Sequence, residues 1–141
     1  MDEFFDTSVL IAAFWRGHPN HDASLKLFAA ANKKKSACAA HTLAEVYATM
    51  TALPVKQLLP TDQALLLVQE VRDRCTVVTL DEHDYLGTIT ETAEAGFASG
   101  RVYDALLLRC AAKVKAKAIY TWNLQHFRAI TPHLAAIIQT P

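Results

Sequence analysis

Short apolar runs alternate with longer stretches of helical period along this chain, and that alternation limits the possible folds more than any other feature. A helical segment between two short strands acts as a crossover and returns the chain to the sheet in the same direction, so neighbouring strands become parallel. The expected fold class is α/β, built around a central parallel sheet. At 141 residues and 52% hydrophobic, the chain can bury a real core as a single domain over residues 1–141.

The first expected strand is Glu3 to Phe5, after which Thr7 or Ser8 can cap a helix running through Leu10 to Phe14. A turn at Gly17 to Asn20 leads to a helix from Asp22 to Ala31, and Ser36 to Ala40 reads as a small-residue strand. Thr42 is expected to cap the next helix, with Glu45 three positions on as its capping-box partner. Ala64, Leu65, Val68 and Val71 recur on one face of a helix opened by Thr61 or Asp62. A strand at Cys75 to Leu80 and a helix from Asp81 to Phe97 follow, and Gly96 and Gly100 then break the pattern. Tyr103, Leu106, Leu107 and Cys110 mark the stripe of the next helix, and Ala118 to Thr121 forms another strand. The tail from His133 to Pro141 reads equally as a short strand or a loop. The helices from His41 to Met50 and from Thr61 to Arg72 carry more aliphatic surface than one sheet face needs, which points to a partner-binding groove.

Charge and cysteine usage narrow the function classes. The 14 Lys and Arg residues balance 14 Asp and Glu residues, so no global field draws in a polyanion or a membrane surface. Basic clusters at Lys33 to Lys35 and at Lys113, Lys115 and Lys117 suit a solvated surface. Cys38, Cys75 and Cys110 are scattered among apolar residues, as expected of free thiols in a reducing compartment. The acidic start, with Asp2, Glu3 and Asp6, is unlike a signal peptide, and Val9 to Trp15 is too short to span a bilayer. The expectation is a cytoplasmic protein without membrane contact.

In a parallel α/β sheet, sites form outside the carboxyl ends of the strands. Asp6, Asp104 and Asn123 all fall there, and Glu45 joins them if the second strand lies beside the first. Each acid also has a plainer reading: Asp6 as a helix cap, Glu45 as a capping-box partner, Asp104 as a complement to a helix dipole. Three carboxylates gathered in one crevice repel one another unless a cation intervenes, and Mg²⁺ prefers such oxygen ligands. A cation so held can activate a water against a phosphodiester. Asp81 is followed by Glu82 and Asp84 and reads as a cap outside the site. His18 and His21 lie in a turn with no further clustered ligand, His41 is a candidate substrate contact, and His126 and Phe127 read as packing residues. No nucleophilic triad stands out, and the four scattered glycines form no phosphate-binding loop.

The segments FFDTSVLIAAF, HTLAEVYATM, GRVYDALLLRCA and IYTWNLQHF resemble, in order and spacing, the conserved blocks of PIN-domain proteins of the VapC toxin type. The resemblance spans nearly the whole chain. It implies a three-layer α/β/α fold with a central parallel sheet and a Mg²⁺- or Mn²⁺-dependent endoribonuclease. It also implies RNA as substrate, an antitoxin protein as partner and a homodimer. Residue by residue, Asp6, Glu45 and Asp104 match the family's metal-binding acids, and Thr7 and Ser8 match the supporting hydroxyls of the first block. The sequence departs from the pattern at Asn123, which stands where many relatives place Asp. Asn123 can accept a hydrogen bond from a metal-bound water but adds no charge, which argues against a second tightly held metal.

Three other readings compete. A phosphate-accepting receiver domain resembles a pattern of paired acids after the first strand and a Lys after the last, and here Thr7 follows Asp6. A haloacid-dehalogenase-like phosphatase resembles a pattern with a second Asp where Ser8 stands. A non-catalytic binding module of PIN-like fold is the alternative that Asn123 keeps open.

Overall fold

The computed structural model describes all 141 residues, Met1–Pro141. Five parallel strands make one sheet: β1 (Glu3–Phe5), β2 (Ser36–Ala39), β3 (Thr76–Val78), β4 (Ala118–Tyr120) and β5 (Ile138–Gln139), in the order β3-β2-β1-β4-β5. The helices are α1 (Thr7–Phe14), α2 (His21–Ala29), α3 (Ala40–Met50), α4 (Thr61–Arg74), α5 (Glu82–Glu94), α6 (Arg101–Lys113) and α7 (Leu124–Ile130). A 3₁₀ segment, Pro132–Ile137, precedes β5. No helix is long and apolar enough to cross a membrane.

The strands are short, and their residues are divided between two cores by the alternation of side chains across a pleated sheet. Phe4, Ala37, Ala39 and Ile119 face α6 and α7, where they meet Leu107, Leu108, Ala111 and Phe127. Phe5 and Cys38 face the other way, onto Leu10 and Ile11 of α1, Val46 of α3 and Val71 of α4. Both faces of the sheet are therefore covered, as a parallel sheet requires, and the result is three layers. Helix α1 is buried nearly all round, from Val9 to Ala13, which accounts for its uninterrupted apolar sequence. Cys38, Cys75 and Cys110 are buried and unpaired.

The strand order places the functional crevice. From β1 the chain steps outward to β2 and β3, then crosses back to set β4 on the other side of β1. The order reverses at β1, so the carboxyl ends of β1 and β4 border the switch-point crevice. Phe5 is in register with Tyr120 and with Cys38, which brings the residues after β1, β2 and β4 to one rim.

Several expectations are corrected. Helix α3 begins at Ala40 with Ala39 at its N-cap, so Thr42 lies inside the helix and forms no capping box with Glu45. Thr42 is fully buried and hydrogen-bonds with Thr7 of α1, so a tertiary partner has replaced the local cap. Asp6 occupies the N-cap position of α1, but its side chain makes no capping bond. The strand expected over Cys75 to Leu80 shortens to Thr76–Val78, and the residues after Asn123 form α7. The reading of Asp81 stands: it accepts from the Asp84 backbone N–H, and Asp84 accepts in return from the Asp81 N–H, at 2.8 and 3.2 Å.

Candidate active site

Asp6 leaves the end of β1, is 3% exposed and is held by two hydroxyls. Ser8 Oγ donates to Asp6 Oδ2 at 2.6 Å, and Thr121 Oγ1, at the end of β4, donates to the same oxygen at 2.8 Å. Ser8 Oγ in turn accepts the Trp122 backbone N–H at 3.0 Å, and Trp122 is anchored by its indole N–H on Ser24 Oγ at 2.8 Å. The loop after β4 is thereby bonded to the first turn of α1. On the opposite side, Thr7 Oγ1 donates to Glu45 Oε1 at 3.0 Å and lies 3.1 Å from Thr42 Oγ1. The consecutive hydroxyls of Thr7 and Ser8 thus orient two different carboxylates.

Asp104 sits in the first turn of α6 and is only partly buried. Burial raises its pKa to about 6, the charges of Asp6 and Glu45 push the same way, and His126 and Arg101 oppose them. Asp104 thus lies within reach of the charges of both Asp6 and Glu45. Burial also raises the pKa of Asp6, with the Ser8 and Thr121 hydrogen bonds working against it. No Lys or Arg pairs with any of the three; the single basic neighbour within 4 Å is His41, whose Nε2 stands 3.8 Å from Glu45 Oε1. Asp22, Asp62, Asp81, Glu82 and Glu94 also lack a Lys or Arg within 4 Å, but all five are exposed to water. Asp84 is bridged by Lys113 at 2.8 Å and Arg109 at 3.6 Å, and Asp2 by Lys117 at 2.9 Å.

The side chains of Asp6, Glu45 and Asp104 do not form a preformed metal-binding group of three. The donor set nevertheless fits a hard divalent cation, since it is all carboxylate oxygen, partly desolvated and short of positive charge. Asn123 is exposed just beyond β4; its backbone N–H donates to Thr121 Oγ1 at 2.9 Å, and its side chain makes no cap for α7. Neither Thr121 nor Thr42 stands out in the sequence as a site residue. The available signal for Thr121 was a hydroxyl at a strand's carboxyl end, two residues before Asn123. His126, expected to be a packing residue, is exposed in α7 on the side that faces Asp104, while Phe127 beside it is the buried residue. His18 and His21 are used locally: His18 Nδ1 accepts the Asn20 N–H, and His21 Nδ1 lies 2.9 Å from the Ala12 carbonyl.

A family model described as PIN domain matches residues 4–130, which takes in every residue of this site. The chain belongs to the PIN-domain family. Solved structures agree with the fold of this PIN domain. The Mycobacterium tuberculosis toxin VapC20, described as cleaving the sarcin-ricin loop, is 15% identical at a TM-score of 0.73, over 91% of this chain and 95% of that one. VapBC2 from Rickettsia felis, bound to a DNA fragment from its promoter, is 21% identical at a TM-score of 0.65, covering 99% of this chain and 98% of that one. VapBC-1 from nontypeable Haemophilus influenzae is 17% identical at a TM-score of 0.65, again over 99% and 98%. No curated protein sequence matches this PIN domain.

Proposed function

We propose that this PIN domain is a metal-dependent endoribonuclease and the toxin of a toxin–antitoxin pair, working in the cytoplasm. The observation that carries the reading is that burial and the charges of Asp6 and Glu45 together raise the pKa of Asp104, while none of these three acids, all at least partly buried, has a Lys or Arg within 4 Å, whereas Asp84 is paired with Lys113. Leaving carboxylates unpaired in a desolvated place is costly unless a ligand brings the missing charge. Asp6, Glu45 and Asp104 would hold Mg²⁺ or Mn²⁺. When bound, the cation supplies an activated water and stabilises the charge that develops on a phosphodiester under in-line attack.

The chain's own groups prepare that site. Ser8 and Thr121 fix the Asp6 carboxylate from two elements, and Thr7 fixes Glu45, so the ligands lose little freedom on binding. Asn123, neutral and exposed at the rim, is free to hydrogen-bond a water or the RNA through its amide. Metal-dependent RNA cleavage separates this reading from a non-catalytic binding module of the same fold.

The proposed antitoxin has a suitable surface. Tyr47 on α3, Leu58 in the connection, and Leu65 and Leu66 on α4 are all exposed, and the two leucines on α4 are at least half open. The likeness to VapBC complexes supports a protein partner of this kind, and sedimentation of the isolated chain tests the homodimer. Cleavage of a mixed RNA substrate tests the activity. The expected result is cleavage with Mg²⁺ or Mn²⁺ that stops on chelation and returns when metal is restored; cleavage indifferent to the chelator would overturn the reading.

A further inference from the structure

We propose that His41 and Tyr103 form a stacking platform for one unpaired nucleobase of the RNA, at the edge of the acidic crevice. The proposal rests on the ribonuclease reading and adds a means of holding substrate to it. The two rings are nearly parallel, at 12°, with centroids 5.9 Å apart. At that separation the stack is offset, which leaves part of each face uncovered. Tyr103 is 54% exposed, and the His41 side chain is 44% exposed.

The position of the pair gives the exposure a purpose. Tyr103 directly precedes Asp104 on α6, and His41 lies one turn before Glu45 on α3, with Nε2 3.8 Å from its carboxylate. The stack therefore joins the two helices that carry these acids. A small cavity of about 30 Å³ lies against the pair, rimmed by His41, Tyr85 and Tyr103 and floored by apolar side chains such as Val78 and Leu106. A pair that served only to seal this cavity would be covered by its neighbours. Instead the rings stand half open, with Tyr85 also exposed beside them.

Electrostatics supply the need. The chain has no net charge, and its unneutralised carboxylates repel a phosphate backbone until a cation binds, so general attraction does little to hold RNA there. Stacking on an aromatic face is indifferent to phosphate charge, tolerant of sequence, and the usual way proteins hold unpaired bases. A base seated on His41 and Tyr103 would anchor a nucleotide next to the acids and select single-stranded over duplex RNA.

The test measures binding of labelled, 2′-O-methylated single-stranded oligoribonucleotides by fluorescence anisotropy, in chelator so that cleavage is silent. An abasic position is moved along the strand, and the proteins are the parent, Tyr103→Phe, Tyr103→Ala and His41→Ala. The expected result is that Tyr103→Phe binds like the parent, while Tyr103→Ala binds about 5- to 160-fold more weakly, the range for one base–aromatic stack. One abasic position should weaken the parent to a similar degree and have little effect on Tyr103→Ala, a coupling that a purely structural role would not produce. Equal binding by Tyr103→Ala, abasic losses that are the same in both proteins, or a parent that binds no strand would each overturn the platform. A parent that shows this coupling but cuts no RNA in Mg²⁺ or Mn²⁺ would instead count against the ribonuclease reading and leave the platform standing.

Discussion

Thr121 donates its hydroxyl hydrogen to Asp6 Oδ2 at 2.8 Å, a bond between residues 115 positions apart in the chain. It fastens the carboxyl end of β4 to that of β1, the two strand ends that border the switch-point crevice. The same hydroxyl accepts the Asn123 N–H, so one side chain orients a buried acid and the loop that carries the fourth site position.

Thr121→Val keeps the shape and removes both bonds. Because Asp6 is buried, the loss should cost about 1–3 kcal/mol of stability, the range for a buried group left short of a partner. Cleavage should fall by about 10- to 100-fold, as for other supports of metal ligands. Thr121→Ser should recover most of both. Thermal unfolding and cleavage assays on the two variants check this, and a Thr121→Val protein with parental activity would remove Thr121 from the site.

Stability in acid should depend on Asp84. Lys113 and the Asp81 backbone N–H lower its pKa from 3.8 to about 2. The folded chain thus holds on to the charged form while the unfolded chain takes up a proton, so the contribution is present above about 4 and disappears as pH falls through about 2. Lys113→Met should unfold at a lower temperature than the parent near neutrality, with the gap closing as the pH drops through that window. Unfolding curves collected down the pH series measure it, and a gap independent of pH would show that the pairing adds nothing.

Gly96 should be costly to replace for a purely conformational reason. It ends α5 with φ +78°, its N–H bonded to the Ala93 carbonyl at 3.0 Å and the Phe97 N–H to Thr92 at 3.1 Å, a Schellman ending. An added Cβ would meet nothing within 4 Å. Gly96→Ala should therefore lose about 1–2 kcal/mol through the left-handed backbone alone, with cleavage unchanged. Denaturant unfolding reads the difference, and a loss near zero would show that the turn relaxes.

The parallel sheet could be read from the chain, because it follows from the alternation of short apolar runs with helical periods, and Asp6 could be placed because it directly follows the first strand. The covering of both faces of the sheet comes only with the resemblance to PIN domains. Asp81 could be read as a cap because its partner lies three residues away. Thr42 and Thr121 could not. Their partners, Thr7 and Asp6, are 35 and 115 positions distant, and local rules assigned Thr42 to a helix cap it does not form. Helix α7 went unread because its seven residues, LQHFRAI, bury only Phe127 and show no repeating stripe. The stack of His41 on Tyr103 depends on how α3 meets α6 across the end of the sheet, which neither segment specifies alone.

Asp104→Asn is the most direct test of a metal-dependent nuclease site. The substitution keeps the shape of the side chain, removes one charge from a cluster in which burial and the Asp6 and Glu45 carboxylates already raise the pKa to about 6, and gives up at most ~1 kcal/mol of helix-dipole stabilisation. Its folding in chelator should be unimpaired or slightly improved, because repulsion is relieved. The decisive measurement is the single-turnover rate of RNA cleavage in saturating Mn²⁺, compared with the parent at equal folded concentration. The account predicts a loss on the order of 100-fold or more, at or beyond what losing a mere support of a metal ligand costs. A folded Asp104→Asn protein that cuts RNA at the parental rate would contradict it.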